Sequence, residues 1–325
     1  MKKLDILVTQ YKEKDDVVKN LLSSIELQQG INFDDIRVVI VNDGSDVFLS
    51  DELLSRYNYE IKYIKAPHGG ISYARNQVLD EARAKYIMFC DCDDMFFNMF
   101  GIRMIFEEMD KMDEMTGLIG FDILVPPFEE EVGEGCIEIE HHVKDSSFIH
   151  GKVYSLDFLK RNNLRWKDDV YCHEDVYFNC LAQNIANNIK RTETPFYLWK
   201  YRKGSITRSD NVFEVETFPE LIKSFSYLID ELLEREKLEA AKANAVSGIY
   251  RFYLFMNKIT FTGHEKECEV LISKFWKKYK PLYEKTKKDD KIRLIKELKE
   301  SFYEVGLLFE KITFDDWIKR LEEEY

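Results

Sequence analysis

Along the first half of the chain, short apolar runs alternate with stretches in which apolar residues recur at helical spacing. Leu4 to Val8 (LDILV) reads as a compact strand. From Asp15 to Gln28, the positions of Val17, Val18, Leu21, Leu22, Ile25 and Leu27 predict a helix. Ile36 to Val41 (IRVVIV) is β-branched and stops at the turn sequence Asn42-Asp43-Gly44-Ser45. Ile61 to Ile64 predicts a further strand, ended by Pro67-His68-Gly69-Gly70, and Ser72 is placed to cap a helix running to about Arg83. Lys85 to Cys90 (KYIMFC) predicts another buried strand, closed by Asp91-Cys92-Asp93-Asp94. Strands alternating with helices imply an α/β fold, with a mostly parallel sheet covered by helices on both faces. Ligands of such sheets bind beyond the carboxyl ends of the strands. Three polar clusters, Thr9–Glu13, Asn42–Asp46 and Asp91–Asp94, fall at those ends.

From about Phe213 the pattern changes to long Glu/Lys/Leu-rich segments with apolar residues at helical spacing and few Gly or Pro. This predicts an all-helical C-terminal domain over 213–325, after an α/β domain over 1–212. A length of 325 residues suits two domains. The apolar fraction of 45%, with only 14 Gly and 6 Pro, excludes a collagen-like or disordered polymer. Six cysteines without a C-x-x-C pair exclude a disulfide scaffold and a common zinc site. The opening MKKLDILVTQYKE is too charged for a signal peptide, and no run approaches the roughly 20 apolar residues of a membrane span. The expectation is a soluble cytoplasmic protein with reduced thiols.

The net charge of −13 argues against a general nucleic-acid binder, but the charge is uneven. Lys190 to Arg208 and Lys274 to Lys299 are basic, whereas Glu129 to Glu140 is acidic. The last two read most simply as solvated faces.

Each cluster has a plain and a chemical reading. The acids of Asp91-Cys92-Asp93-Asp94 either end a strand or bind a hard divalent cation such as Mg²⁺ or Mn²⁺. Asp43 either belongs to an Asp-Gly turn or accepts hydrogen bonds from a base or ribose. In His68–Asn76 a glycine pair opens a helix whose amino end can face an anion, and Arg75 can brace acids. Glu174 and Asp175 either complement a helix dipole or supply a general base, with His173 a structural histidine in the first case. There is no G-x-G-x-x-G after the first strand and no Walker loop, which disfavours a nicotinamide cofactor and ATP hydrolysis.

Taken in order, VTQYKE, VIVNDGS, HGGISYARN, YIMFCDCDD, HGKVY with FLKRNNLRW, HEDVYFN and YRKGSIT resemble family 2 of the glycosyltransferases, which have the GT-A fold. The resemblance covers roughly residues 1–210 and is strongest to phage- and prophage-type members with a HEDxYFN helix. It implies that Asp43 contacts the nucleobase and that Asp93, with Asp91, binds Mn²⁺ or Mg²⁺. Asp91 also lies on the ribose or sugar side, and Asp94 orients the donor sugar. Arg75 matches the basic residue of the family's "ARN" segment, and Asp175 is the catalytic base. Arg202, Lys203, Ser205 and Thr207 belong to a basic segment that closes over the diphosphate. Thr9, Tyr11, Glu13 and Gly70 complete the expected donor-binding set; His150, Lys152, His173 and Glu174 form the expected acceptor side. The first strand reads TQY where the family has P-x-Y, a departure in the base pocket. The processive synthases' Q-x-x-R-W motif and membrane helices are missing from this sequence, which favours transfer of a single sugar.

The implied reaction is metal-dependent, inverting transfer of one sugar, from a UDP-sugar by expectation, to an acceptor hydroxyl. A hexosyl donor and a glycan, surface-glycopolymer or hydroxymethylated-DNA acceptor are expected, and the helical domain could bind acceptor or form a homo-oligomer. The alternatives are a nucleotidyltransferase, disfavoured by the glycine-poor TQYKEKDD loop, and a non-catalytic nucleotide-sugar-binding module, disfavoured by Asp91, Asp93 and Asp175 together.

Overall fold

The structure is a computed structural model that describes residues 1–112, 117, 119–132, 135–139, 147–201, 211–258, 265–303 and 312–324. Its strands are β1 (Leu4–Gln10), β2 (Ile36–Asp43), β3 (Glu60–Ala66), β4 (Tyr86–Asp91), β5 (Met95–Phe96), β6 (Ile123–Val125), β7 (Phe128–Val132), β8 (Gly135–Ile139), β9 (Val153–Ser155), β10 (Ile189–Arg191) and β11 (Tyr197–Trp199). Its helices are α1 (Asp15–Glu26), α2 (Asp51–Leu54), α3 (Gly70–Asp80), α4 (Gly101–Asp110), α5 (Leu156–Arg161), α6 (Glu174–Ile185), α7 (Asn211–Glu234), α8 (Leu238–Lys258), α9 (Glu265–Lys285), α10 (Lys288–Tyr303) and α11 (Phe314–Glu324).

The described residues divide into two compact units. The first comprises Met1–Tyr171 and Ile185–Lys203; the second comprises Cys172–Asn184 and Gly204–Tyr325. The division expected at 212/213 follows chain order, whereas the observed units do not. Most of α6 groups with the helical unit because its Tyr177 packs edge-on against Tyr227 of α7 and donates toward Glu231.

In the first unit a sheet runs in the order β10-β6-β9-β4-β1-β2-β3. β4, β1, β2 and β3 are parallel neighbours, and β9 is inserted antiparallel between β4 and β6. Alternation along the strands explains why both faces are covered. Leu4, Ile6 and Val8 of β1, with Ile36, Val38 and Ile40 of β2, join one core cluster with Val18, Leu21 and Ile25 of α1 and Ile102 and Ile105 of α4. The residues between them, Leu7, Val39 and Val41, are equally buried on the other face, where α3 packs on β1 and β2. A second sheet, β5-β11-β7-β8, adjoins the carboxyl end of β4 through β5.

In the second unit α8 packs against α7, α9, α10 and α11. Its Ala241, Ala245, Val246, Ile249, Phe252 and Tyr253 are buried, so this helix is the unit's core element. No helix among the described residues is long and apolar enough to cross a membrane.

Candidate donor and cation site

Register brings the three polar clusters together. Thr9 pairs with Val41 on one side and Asp91 on the other, and Gln10 pairs with Asn42. The carboxyl ends of β1, β2 and β4 are therefore level, which sets Tyr11, Asp43 and the Asp91–Asp94 turn at one edge of the sheet.

The β1 end is held by Gln10, the residue that makes the first strand TQY. Its buried amide donates to the carbonyls of Glu13 (2.8 Å) and Val47 (3.0 Å) and accepts from the Tyr63 hydroxyl (3.2 Å). Lys12 takes a left-handed conformation (φ 69°), and the Tyr11 amide donates to the Glu13 carboxylate at 2.7 Å. Glu13 thus folds back to brace its own loop.

Asp43 is almost fully buried at the end of β2. Its two carboxylate oxygens accept from the Gly69 amide (2.8 Å) and the Gly70 amide (3.0 Å), and His68 Nδ1 lies 2.9 Å from Oδ2. These are the first amides of α3, so Asp43 caps that helix from a distance. Ser72 does not, contrary to the sequence expectation. The cap position is Gly69, and the Ser72 hydroxyl donates instead to the Val170 carbonyl at 2.6 Å. The turn requires Gly44: its φ is 67°, and a Cβ there would collide with the His68 backbone. The Tyr11 ring stacks on the His68 imidazole, with centroids 4.8 Å apart, forming a half-exposed aromatic pair beside Asp43.

α3 presents three buried polar side chains with different partners. Besides Ser72, Asn76 exchanges hydrogen bonds with the Trp166 backbone (2.9 and 3.0 Å). Arg75 lies with its guanidinium 4.7 Å from the Trp166 ring centroid and donates to Asp91 Oδ1 at 3.2 Å. Packed on an aromatic face, that cation is held against the acid.

Beyond β4, Asp94 is 1% exposed. Its carboxylate accepts from the Tyr197 hydroxyl (2.6 Å) and the Lys200 amide (2.9 Å). Burial above all, then the charges of Asp91 and Asp93, pushes the Asp94 carboxyl well above the usual carboxylate range. His150 Nδ1 lies 3.8 Å from Asp94 Oδ2, and its ring is stacked on Trp199, with centroids 4.8 Å apart. Asp91, Asp94 and His150 each offer a ligand atom within 4.8 Å of the others. Two carboxylates and an imidazole, buried or half-buried and crowded by a third acid, suit a divalent cation such as Mn²⁺. Asp93 is half-buried in the same turn but is not a member of this group. The thiols of Cys90 and Cys92, pushed well up by burial, sit between these acids as inert packing.

Of the residues assigned to the acceptor side, His150 therefore lies against the acidic turn, and Lys152 is fully buried, its ammonium donating to the Phe148 carbonyl at 2.5 Å. His173, Glu174 and Asp175 belong to the second unit. There Glu174 and Asp175 occupy the first turn of α6. His173 precedes them in a left-handed conformation (φ 57°), its Nε2 3.3 Å from the Thr217 hydroxyl and its ring edge-on to Phe255. Burial, reinforced by Arg251, pushes the His173 imidazole down to about 4. Arg202, Lys203, Ser205 and Thr207 lie outside the described residues. Tyr197 and Trp199 fall outside the motif segments and are placed here by tertiary packing, whereas Gln10 and Asn76 lie within the TQY and ARN segments but gain their partners only in the fold.

A mostly parallel sheet with acids gathered at its carboxyl edge, followed by a helical region, is the GT-A architecture. The family model "Glycosyl transferase family 2" matches residues 5–122, within the first compact unit. The chain is 27% identical over 191 residues to the uncharacterized glycosyltransferase EpsJ of Bacillus subtilis, covering 53% of this chain and 55% of EpsJ. It is 22% identical over 251 residues to the poly(ribitol-phosphate) beta-N-acetylglucosaminyltransferase TarS of Staphylococcus aureus, covering 74% of this chain and 42% of TarS. The chain thus spans about half the length of these curated relatives. Among solved structures, residues 1–349 of S. aureus TarS in complex with UDP superpose with a TM-score of 0.53 at 17% identity, covering 87% of this chain and 90% of that one. The mannosyltransferase PcManGT of Pyrobaculum calidifontis, in complex with GDP-Man and Mn²⁺, gives 0.53 at 11% identity, covering 98% and 84%.

Proposed function

We propose that the chain transfers one hexosyl group from a UDP-sugar to an acceptor hydroxyl, with inversion at the anomeric carbon and with the help of a divalent cation. The observation that carries this reading is the meeting of Asp91, Asp94 and His150, braced by Arg75, at the strand edge where Asp43 also ends. Asp91, Asp94 and His150 would hold the cation, with Asp93 beside them. When bound, such an ion offsets the charge that develops on the departing nucleoside diphosphate. Arg75 holds Asp91 in place through its contact with Oδ1. The Tyr11–His68 pair offers a flat surface for a base, and Asp43 holds that surface through His68 and the α3 amides. By the sequence assignment, Arg202, Lys203, Ser205 and Thr207 take the diphosphate, and Asp175 takes the acceptor's proton. A carboxylate is a weak base for an alcohol, so this transfer is concerted with formation of the new glycosidic bond. A positioned base of this kind contributes about 10²–10⁴-fold.

The relative TarS is named for poly(ribitol-phosphate), which favours a phosphate-bearing glycopolymer over DNA as the acceptor class. Within this reading, residues 213–325 form the acceptor-binding domain. The test is a donor-hydrolysis screen over UDP-, GDP- and TDP-sugars, with and without Mn²⁺. Slow, Mn²⁺-stimulated release of UDP from one donor is expected. Release of pyrophosphate from a nucleoside triphosphate instead would point to a nucleotidyltransferase.

A further inference from the structure

One buried side chain touches all three members of the cation group. Tyr197, at the start of β11, is fully buried. Its hydroxyl donates to Asp94 Oδ2 at 2.6 Å and accepts from the Asp91 backbone amide at 3.2 Å. Its ring lies nearly parallel to the His150 imidazole, with centroids 5.8 Å apart and a 23° interplanar angle. On the other side it packs edge-on against Phe96 of β5, 6.2 Å away. A phenol is suited to this place because it offers one donor and an acceptor on a rigid apolar body. The hydroxyl fixes the side chain of Asp94 relative to the main chain of Asp91, and the ring lies alongside His150, whose closer stacking partner is Trp199.

The strand context explains why the contact is held firmly. β11 pairs antiparallel with β5, immediately after the acidic turn, and parallel with β7. Tyr197 faces Phe96 in that ladder, and immediately after β5 the Phe97 amide donates to the Phe196 carbonyl at 3.1 Å. Three residues on from Tyr197, the Lys200 amide binds the second oxygen of Asp94. Asp94 is therefore gripped at both oxygens by β11 and the residue that follows it. Its position is set by β11, about 100 residues away in sequence, and not by the local turn alone.

We propose that Tyr197 is a positioning residue that presets Asp91, Asp94 and His150 for a divalent cation, so that its hydroxyl governs cation affinity without itself meeting substrate. This inference rests on the cation reading of the site given above. Outer groups that orient metal ligands typically contribute about 10–100-fold to metal affinity, and that is the range expected here.

The test is Mn²⁺ binding to the full chain, read by electron paramagnetic resonance of free Mn²⁺ and by calorimetry, for wild type, Tyr197→Phe and Tyr86→Phe. Tyr197→Phe keeps the ring and removes only the hydroxyl. Tyr86→Phe removes another buried hydroxyl of the same unit, one that accepts from the Phe121 amide and lies away from the acids. The expected result is a Mn²⁺ Kd raised at least 10-fold by Tyr197→Phe and unchanged by Tyr86→Phe, whatever either does to thermal stability. In donor hydrolysis, the Mn²⁺ concentration giving half-maximal rate should rise in parallel. A second pair, Asp94→Asn alone and with Tyr197→Phe, should show that the two losses do not add, because the hydroxyl acts through that carboxylate. If wild type binds Mn²⁺ and Tyr197→Phe binds it equally well, the inference is overturned while the cation reading stands. If wild type binds no Mn²⁺, the cation reading falls and this inference falls with it.

Discussion

Asp175 and His173 lie two positions apart at the amino end of α6, yet their expected contributions differ in kind. Replacing Asp175 by Asn keeps the side chain's shape and removes its basicity. Transfer should fall by at least about 10²-fold while donor binding, read by calorimetry, stays within a few-fold. An equal loss of donor affinity would argue that Asp175 binds donor and is not the base. His173 bears on stability. Its imidazole stays neutral in the folded unit down to about pH 4, whereas in the unfolded chain it takes up a proton near 6.5. Between those values the unfolded state holds more protons, so stability is complete above about 6.5 and declines as pH falls toward 4. The loss amounts to about 1–3 kcal/mol. His173→Asn, which tolerates the left-handed backbone, should flatten that decline in urea titrations between pH 7.5 and 4.5. An unaltered slope would assign the pH dependence to other groups.

At the scale of elements, strand ends and helix starts interlock. Asp43 ends β2 and caps α3; Gly44 permits the turn by which the chain leaves β2 beside the His68 backbone. Gly44→Ala should cost about 2–4 kcal/mol, through the collision and a φ of 67°, and should weaken donor binding by displacing His68. Thermal unfolding and UDP titration of this variant check both effects. A variant with wild-type stability would mean that the turn is not constrained as described. These elements also show what a sequence can and cannot disclose. β1, β2 and β4 are legible because β-branched runs end abruptly in Asn, Asp and Gly, and burial on both faces leaves little choice of structure. Local capping rules point to Ser72 at the start of α3, whereas the partner of the Gly69 amide, Asp43, lies 26 residues upstream. The antiparallel β9 and the β5-β11-β7-β8 sheet are short, and nonlocal pairing decides them. Arg75 could be marked as a partner for acids from its helix, but not that Trp166 would form its stacking surface. Tyr197 could not be paired with the acidic turn, since its link to Asp94 is made through a strand pairing that no spacing encodes, and His150 is brought there only by the fold.

For the molecule as a whole, the residues assigned to the proposed reaction are divided in sequence between the two compact units. The α/β unit holds the acids, the arginine and the aromatic pair suited to a nucleoside diphosphate; the helical unit includes Asp175. The cysteines are all free thiols, five of them buried, which agrees with a chain whose cohesion comes from apolar burial and not from cross-links. The central claim is that the strand-edge acids bind a nucleoside diphosphate through a shared cation. Its most direct measurement is calorimetric titration of UDP into wild type with Mn²⁺, into wild type with EDTA, and into Asp91→Asn with Mn²⁺. The account predicts saturable binding in the first case, weakened at least about 10-fold in each of the others. Equal UDP affinity in all three, or none in any, would contradict it.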